Sequence, residues 1–180
     1  MDTTDAGDLA ALKAQRCNVP GSMGSKNWYR LSAMLPGELD VIQIELWPER
    51  GAFRGGSVKP GIYQLTGDDL SYATCGVCAR ALADRGMASQ REYFAIAGTV
   101  EIKEVAPTAG APFVATVRDM SFAEVDSNHS EIEGGCSLDL EAAEISGSVQ
   151  LMSGTGGGFG GGGGGGSGGG AGGCVTTVGD

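Results

Sequence analysis

Between Trp28 and Val149 the chain repeatedly alternates apolar and polar side chains with a period of two, and this pattern limits the fold more than any other feature. Such alternation belongs to extended backbone with two distinct faces. Tyr29, Leu31, Ala33 and Leu35 alternate with Arg30, Ser32 and Met34. Pro36-Gly37 supplies a turn, and Ile42, Ile44 and Leu46 then oppose Gln43 and Glu45, which predicts a hairpin. Pro48 to Lys59 reads as a glycine-bearing loop, Ile62 to Leu65 as a short strand, and Gly67-Asp68-Asp69 as its end. Residues 70 to 91 are ambiguous. Ala79 to Ala88 is alanine-rich enough for a helix, while Val77 to Leu82 also fits a strand followed by a polar turn from Asp84 to Gln90.

The remaining runs repeat the theme. Tyr93 to Val105 alternates clearly, and its length predicts a bend at Gly98. Phe113 to Val125 changes phase near Asp119, where a bulge would divide it into two strands. Cys136 to Val149 mixes both periods and is weighted toward strand by its neighbours. The expectation is an all-β, antiparallel β-sandwich or flattened barrel of about seven to eight strands. The chain would divide into a polar segment over 1–27 with a short helix-compatible patch at Leu9 to Ala14, a β domain over 28–150, and a tail over 151–180. No parallel βαβ rhythm appears, which removes dinucleotide-binding and P-loop architectures.

Composition sharpens the tail. Of the 33 glycines, 16 lie within the 20 residues from Gly154 to Gly173. A tract with so little to bury reads as a flexible tail, or as a tether presenting Cys174 and the closing Val175 to Val178 segment. No apolar run reaches the length of a transmembrane helix, so the chain is read as not membrane-spanning. The formal charge is −10, from 22 acidic and 12 scattered basic residues, which argues against a nucleic-acid partner. A protein or glycan surface is the partner class left open. No basic start followed by an apolar stretch marks a secretory leader.

Five cysteines stand at positions 17, 75, 78, 136 and 174. The closely spaced Cys75 and Cys78 admit several readings: a disulfide with each other, pairing of one of them with Cys17 or Cys136, a thioredoxin-like redox pair, or half of a zinc site. Redox chemistry would need the first cysteine to open a helix in a βαβ unit, and zinc would need two further ligands from Cys136, Cys174 or His129. His129 is the single histidine, which leaves triad chemistry and multi-histidine metal sites without residues. Around it, Asp126, Asn128 and Ser130 have calcium-loop spacing, but Glu131 stands where glycine is needed and Ser137 where glutamate is needed. Asp126, Glu131 and Glu133 would bind calcium weakly at most. Asp68, Asp69, Asp139, Glu141 and Glu144 could pair for glycoside hydrolysis, yet no pattern brings two of them together. Trp28, Tyr29, Trp47, Tyr63, Tyr72 and Tyr93 read as core or rim residues rather than a sugar platform. No catalytic, cofactor-binding or metal residue is assigned.

Four runs in order, Pro60-Gly61-Ile62-Tyr63, Tyr72-Ala73-Thr74-Cys75-Gly76-Val77-Cys78, Tyr93-Phe94 before Gly98-Thr99-Val100-Glu101-Ile102, and Asp119 to Val125, carry a resemblance. Residues 28 to 145 resemble uncharacterised secreted or envelope-associated bacterial proteins that are cysteine-containing and β-rich. The resemblance implies an exported all-β domain with Cys75 and Cys78 oxidised, and it transfers no catalytic residue. The functional expectation is a non-enzymatic extracytoplasmic module for surface, adhesion or binding work. Its alternative is a thiol redox or zinc-binding protein that uses Cys75 and Cys78.

Overall fold

A computed structural model of the chain describes residues 4–18, 26–36 and 39–151. The glycine tract, Cys174 and the closing segment lie outside the described residues. Among the described residues nine strands form one mixed sheet: β1 (Thr4–Asn18), β2 (Asn27–Met34), β3 (Val41–Leu46), β4 (Gly61–Gln64), β5 (Val77–Ala83), β6 (Arg91–Glu104), β7 (Pro112–Val125), β8 (Ser137–Ser148) and β9 (Gln150–Leu151). Two short 3-10 turns, Gly51–Phe53 and Gly67–Leu70, flank β4. The all-β reading holds, and residues 77–83 are strand, with the expected polar turn closed by Met87 N–H to Asp84 and Gln90 N–H to Met87.

The sheet order is β2-β3-β5-β6-β7-β8-β1-β9, with β1 also pairing β2. The first part of β1 runs parallel to β8, from Thr4↔Leu140 to Ala10↔Ser146. Its second part runs antiparallel to β2, from Ala11↔Ala33 to Asn18↔Asn27. One strand thus joins both margins of the sheet and curls it around a common core without making a regular barrel. Register shifts around Gly7 and between Ala11 and Lys13 let β1 turn from one partner to the other. This corrects the helix-compatible patch at Leu9 to Ala14, which is strand. Alternation in Leu9 to Ala14 is masked by alanine, and pairing with two neighbours overrides the local helix preference.

Leu31, Ile42, Ile44, Leu46, Val77, Ala79, Val100, Ile102, Phe113, Phe122 and Ile145 fill the core. In β7, Phe113, Ala115 and Val117 point inward, whereas beyond Asp119 the inward residues are Met120 and Phe122. Asp119 adopts φ 50°, and the β6–β7 register slips between the Ala97↔Ser121 and Thr99↔Arg118 pairs. The expected bulge is therefore present, but it bends β7 without dividing it. Opposite it, Gly98 has φ +135°, and a Cβ there would lie 2.3 Å from Met120 Sδ and 3.0 Å from Met120 Cα. The bend expected at Gly98 is required by both conformation and space.

Candidate functional site

The alternation on β2, β3 and β5 sends Trp28, Arg30 and Ser32, Gln43, Glu45 and Trp47, and Cys78 and Arg80 away from the main core. This second face is not wet. Every residue of β3 is buried, and Trp28, Trp47, Cys17, Cys75, Cys78, Phe94 and Val125 form a second apolar cluster with Tyr72 packed on it. The sheet is covered here by the segment that carries Tyr72 and by the 126–130 turn, whose His129 ring lies 4.1 Å from the Tyr72 ring.

Glu45 is at the centre, with its side chain wholly shielded from solvent. Its Oε1 accepts from Arg30 Nε at 2.9 Å and Gln43 Nε2 at 3.1 Å, with Arg30 Nη2 at 2.7 Å and Arg80 Nη2 at 3.5 Å. Its Oε2 accepts from Trp47 Nε1 and Tyr72 OH, both at 3.3 Å. Arg80 continues the network, donating to Gln43 at 2.9 Å and to Glu92 at 2.8 Å. Two guanidinium groups and two carboxylates balance, which a buried set of charges requires. Aromatic faces complete it: Arg30 lies 4.7 Å from the Trp28 ring centre and Arg80 5.6 Å from that of Tyr72. Burial, reinforced by the Glu45 charge, pushes the Tyr72 phenol up to about 12. The Trp28 Nε1 and Ser32 Oγ atoms on this face are buried without a hydrogen-bond partner among the described residues.

The sulfurs of Cys75 and Cys78 lie at disulfide-bonding distance, with Cα atoms 5.4 Å apart. Both residues are buried, and the bond fastens the Tyr72 segment to the start of β5. Asp69 secures the same junction: its Oδ1 accepts from the N–H groups of Gly76 at 2.8 Å, Val77 at 3.1 Å and Ala52 at 3.3 Å. A Cβ on Gly76 would sit 2.2 Å from the Arg50 carbonyl oxygen, so this close crossing of backbones needs glycine. The alternative pairings of Cys75 or Cys78 with Cys17 or Cys136 are not the ones formed. Cys17 belongs to the same buried cluster and is itself disulfide-bonded. Cys136 is a free, exposed thiol with Arg91 Nη1 at 2.9 Å from its sulfur.

The other residues singled out in the sequence are placed apart. Asp126 accepts from the N–H groups of Asn128 at 2.8 Å and Ser130 at 2.9 Å, and these bonds hold its carboxyl below the usual range. It serves the turn, and among the described residues no group of three metal-ligating side chains converges. Asp68 is on the surface with Arg54, Asp139 accepts from Ser121 at 2.8 Å, and Glu144 pairs with Lys103, which lowers its carboxyl. The network around Glu45 escapes a sequence reading because Arg30, Gln43 and Glu45 look like the wet side of a hairpin. Two tryptophans in phase with them, Trp28 and Trp47, were the available signal.

An open groove of about 350 Å³ lies between the Gly51–Phe53 turn and β4, lined by Ala52, Arg54, Ile62, Gln64, Thr66 and Asp68. Among the described residues no helix is long and apolar enough to cross a membrane. No family model, curated protein or solved structure matches the chain.

Proposed function

We propose that the protein is a non-enzymatic binding module that works outside the cytoplasm, on a protein or glycan surface. The observation that carries this reading is the bond between Cys75 and Cys78 inside a dry cluster of Trp28, Trp47, Tyr72 and Phe94. A disulfide built into a core suits an oxidising compartment and a permanent structural role. A catalytic or metal-binding pair needs its thiolates accessible, and burial of both residues works against that use. The charged groups of the second face bond to one another rather than into the open groove, which favours a rigid scaffold over acid–base chemistry.

The test is intact-mass analysis of protein recovered without reductant, alkylated before and after reduction, with elemental analysis on the same sample. The reading expects Cys75 and Cys78 to resist alkylation until the protein is unfolded and reduced, and no stoichiometric zinc. Reactive thiols at both positions, or one bound zinc, would overturn it in favour of the thiol redox or zinc alternative.

A further inference from the structure

β7 takes one margin of β6 along most of its length, so β5 at Arg91–Phe94 and β4 at Thr99–Ile102 share the other. β4 pairs with no strand but β6 among the described residues. Leu65 N–H donates to the Gly98 carbonyl at 2.9 Å, in register with Tyr63↔Val100 and Gly61↔Ile102. In an antiparallel ladder the bonding residues alternate with residues whose backbone groups point the other way. The N–H and C=O of Ile62 and Gln64 therefore point out along the free margin, and both residues also line the groove. Ile62 is 73% exposed on this margin, an unusual side chain for an edge without a covering partner.

We infer that β4 and its groove receive an extended basic peptide segment, which adds a strand by bonding to the backbone of Ile62 and Gln64. Unpaired alternate N–H and C=O groups recognise peptide backbone, and pockets for alternate side chains add selectivity. Ile62 offers an apolar contact, and Glu101, opposite it on β6 and paired with Arg118, together with Asp68 on the groove rim, paired with Arg54, offers partly exposed carboxylates whose surface pairs a cationic side chain of the peptide would share. The chain's charge of −10 draws a cationic segment and repels a second copy of itself. The inference rests on the binding-module reading and narrows its partner to a peptide.

The experiment uses the full, oxidised chain labelled with ¹⁵N and an eight-residue peptide of alternating lysine and valine. The expected result is saturable binding that moves the amide signals of Ile62 and Gln64 and slows their hydrogen exchange by about tenfold or more. Gln64→Pro removes an outward N–H at a position where an edge strand tolerates proline, and should weaken binding about tenfold while leaving the β6 pairing intact. Ile62→Lys is a second variant that spares the fold and should weaken the basic peptide similarly. Equal binding of an alternating glutamate and valine peptide would overturn the inference. So would amides of Ile62 and Gln64 that do not respond, that are already protected in the free chain by its own tail, or that shift with protein concentration alone. If these outcomes arise with Cys75 and Cys78 oxidised, the edge assignment falls and the wider reading stands; reactive thiols would strike the wider reading instead.

Discussion

Replacing Glu45 with glutamine removes one negative charge and one acceptor oxygen while keeping the side chain's shape. Arg30 is then left 8% exposed without its counter-charge, although Arg80 keeps Glu92 at 2.8 Å. The single amide oxygen can face either the Trp47 N–H and Tyr72 OH or the Arg30 and Gln43 donors, and the NH₂ cannot accept from whichever set it meets. Removing one partner of a buried ion pair costs about 3–5 kcal/mol, and the small residual exposure of Arg30 puts the expectation near the lower end. Against a typical domain stability of about 5–15 kcal/mol that is a large share. Urea unfolding should show a midpoint lower by about 1.5 M with an unchanged slope. The Tyr72 phenol should at the same time titrate below its value of about 12, because the carboxylate that reinforces burial is gone. A loss under about 1 kcal/mol for Glu45→Gln would mean instead that solvent already reaches Arg30 and that the pair is not sealed.

Other consequences are open to simple measurements. Cys75→Ser with Cys78→Ser opens a very short loop, so chain entropy alone predicts a loss of about 2 kcal/mol in chemical unfolding, with the near-ultraviolet signal of Tyr72 and the tryptophans weakened. Gly98→Ala forces a Cβ onto Met120 at φ +135° and should cost about 3 kcal/mol by the same assay, while Gly110→Ala, where a Cβ meets open space, should cost less. Asp126 and Glu144 have folded-state values below their ordinary ones, the first held by the amides of Ser130 and Asn128 and the second by Lys103. Their contribution is complete above the ordinary carboxylate range and is lost as pH falls through the depressed folded values, so thermal midpoints should drop below about pH 4. Exchange at the Asn128 and Ser130 amides should quicken in that same window.

The period-two pattern revealed strands wherever one face is apolar and the other polar, and the phase change at Asp119 and the bend at Gly98 were legible for that reason. β1 was not, because Leu9 to Ala14 is alanine-rich and its pairing with β8 and β2 is settled by distant residues. The same limit applies to the second face. Gln43 and Glu45 carry the polarity of solvent-facing residues, and only tertiary covering by Tyr72 and its neighbours makes them interior. Cys75 and Cys78 were evident as a pair, but their role as the fastener of that covering segment depends on where Tyr72 packs. The open margin of β4 depends on which strand stands beside β6, and no local pattern encodes that.

The sheet carries a second sealed layer around Glu45, and the chain's two tryptophans, Trp28 and Trp47, both sit in it at 2% and 9% exposure. Tryptophan emission with iodide and acrylamide quenching therefore reports on this layer alone. Blue-shifted emission that neither quencher reduces appreciably is expected in the oxidised native protein, and red-shifted, quenched emission once the disulfides, Cys75–Cys78 among them, are reduced and the covering segment lifts. Red-shifted emission quenched freely in the native, oxidised protein would contradict it.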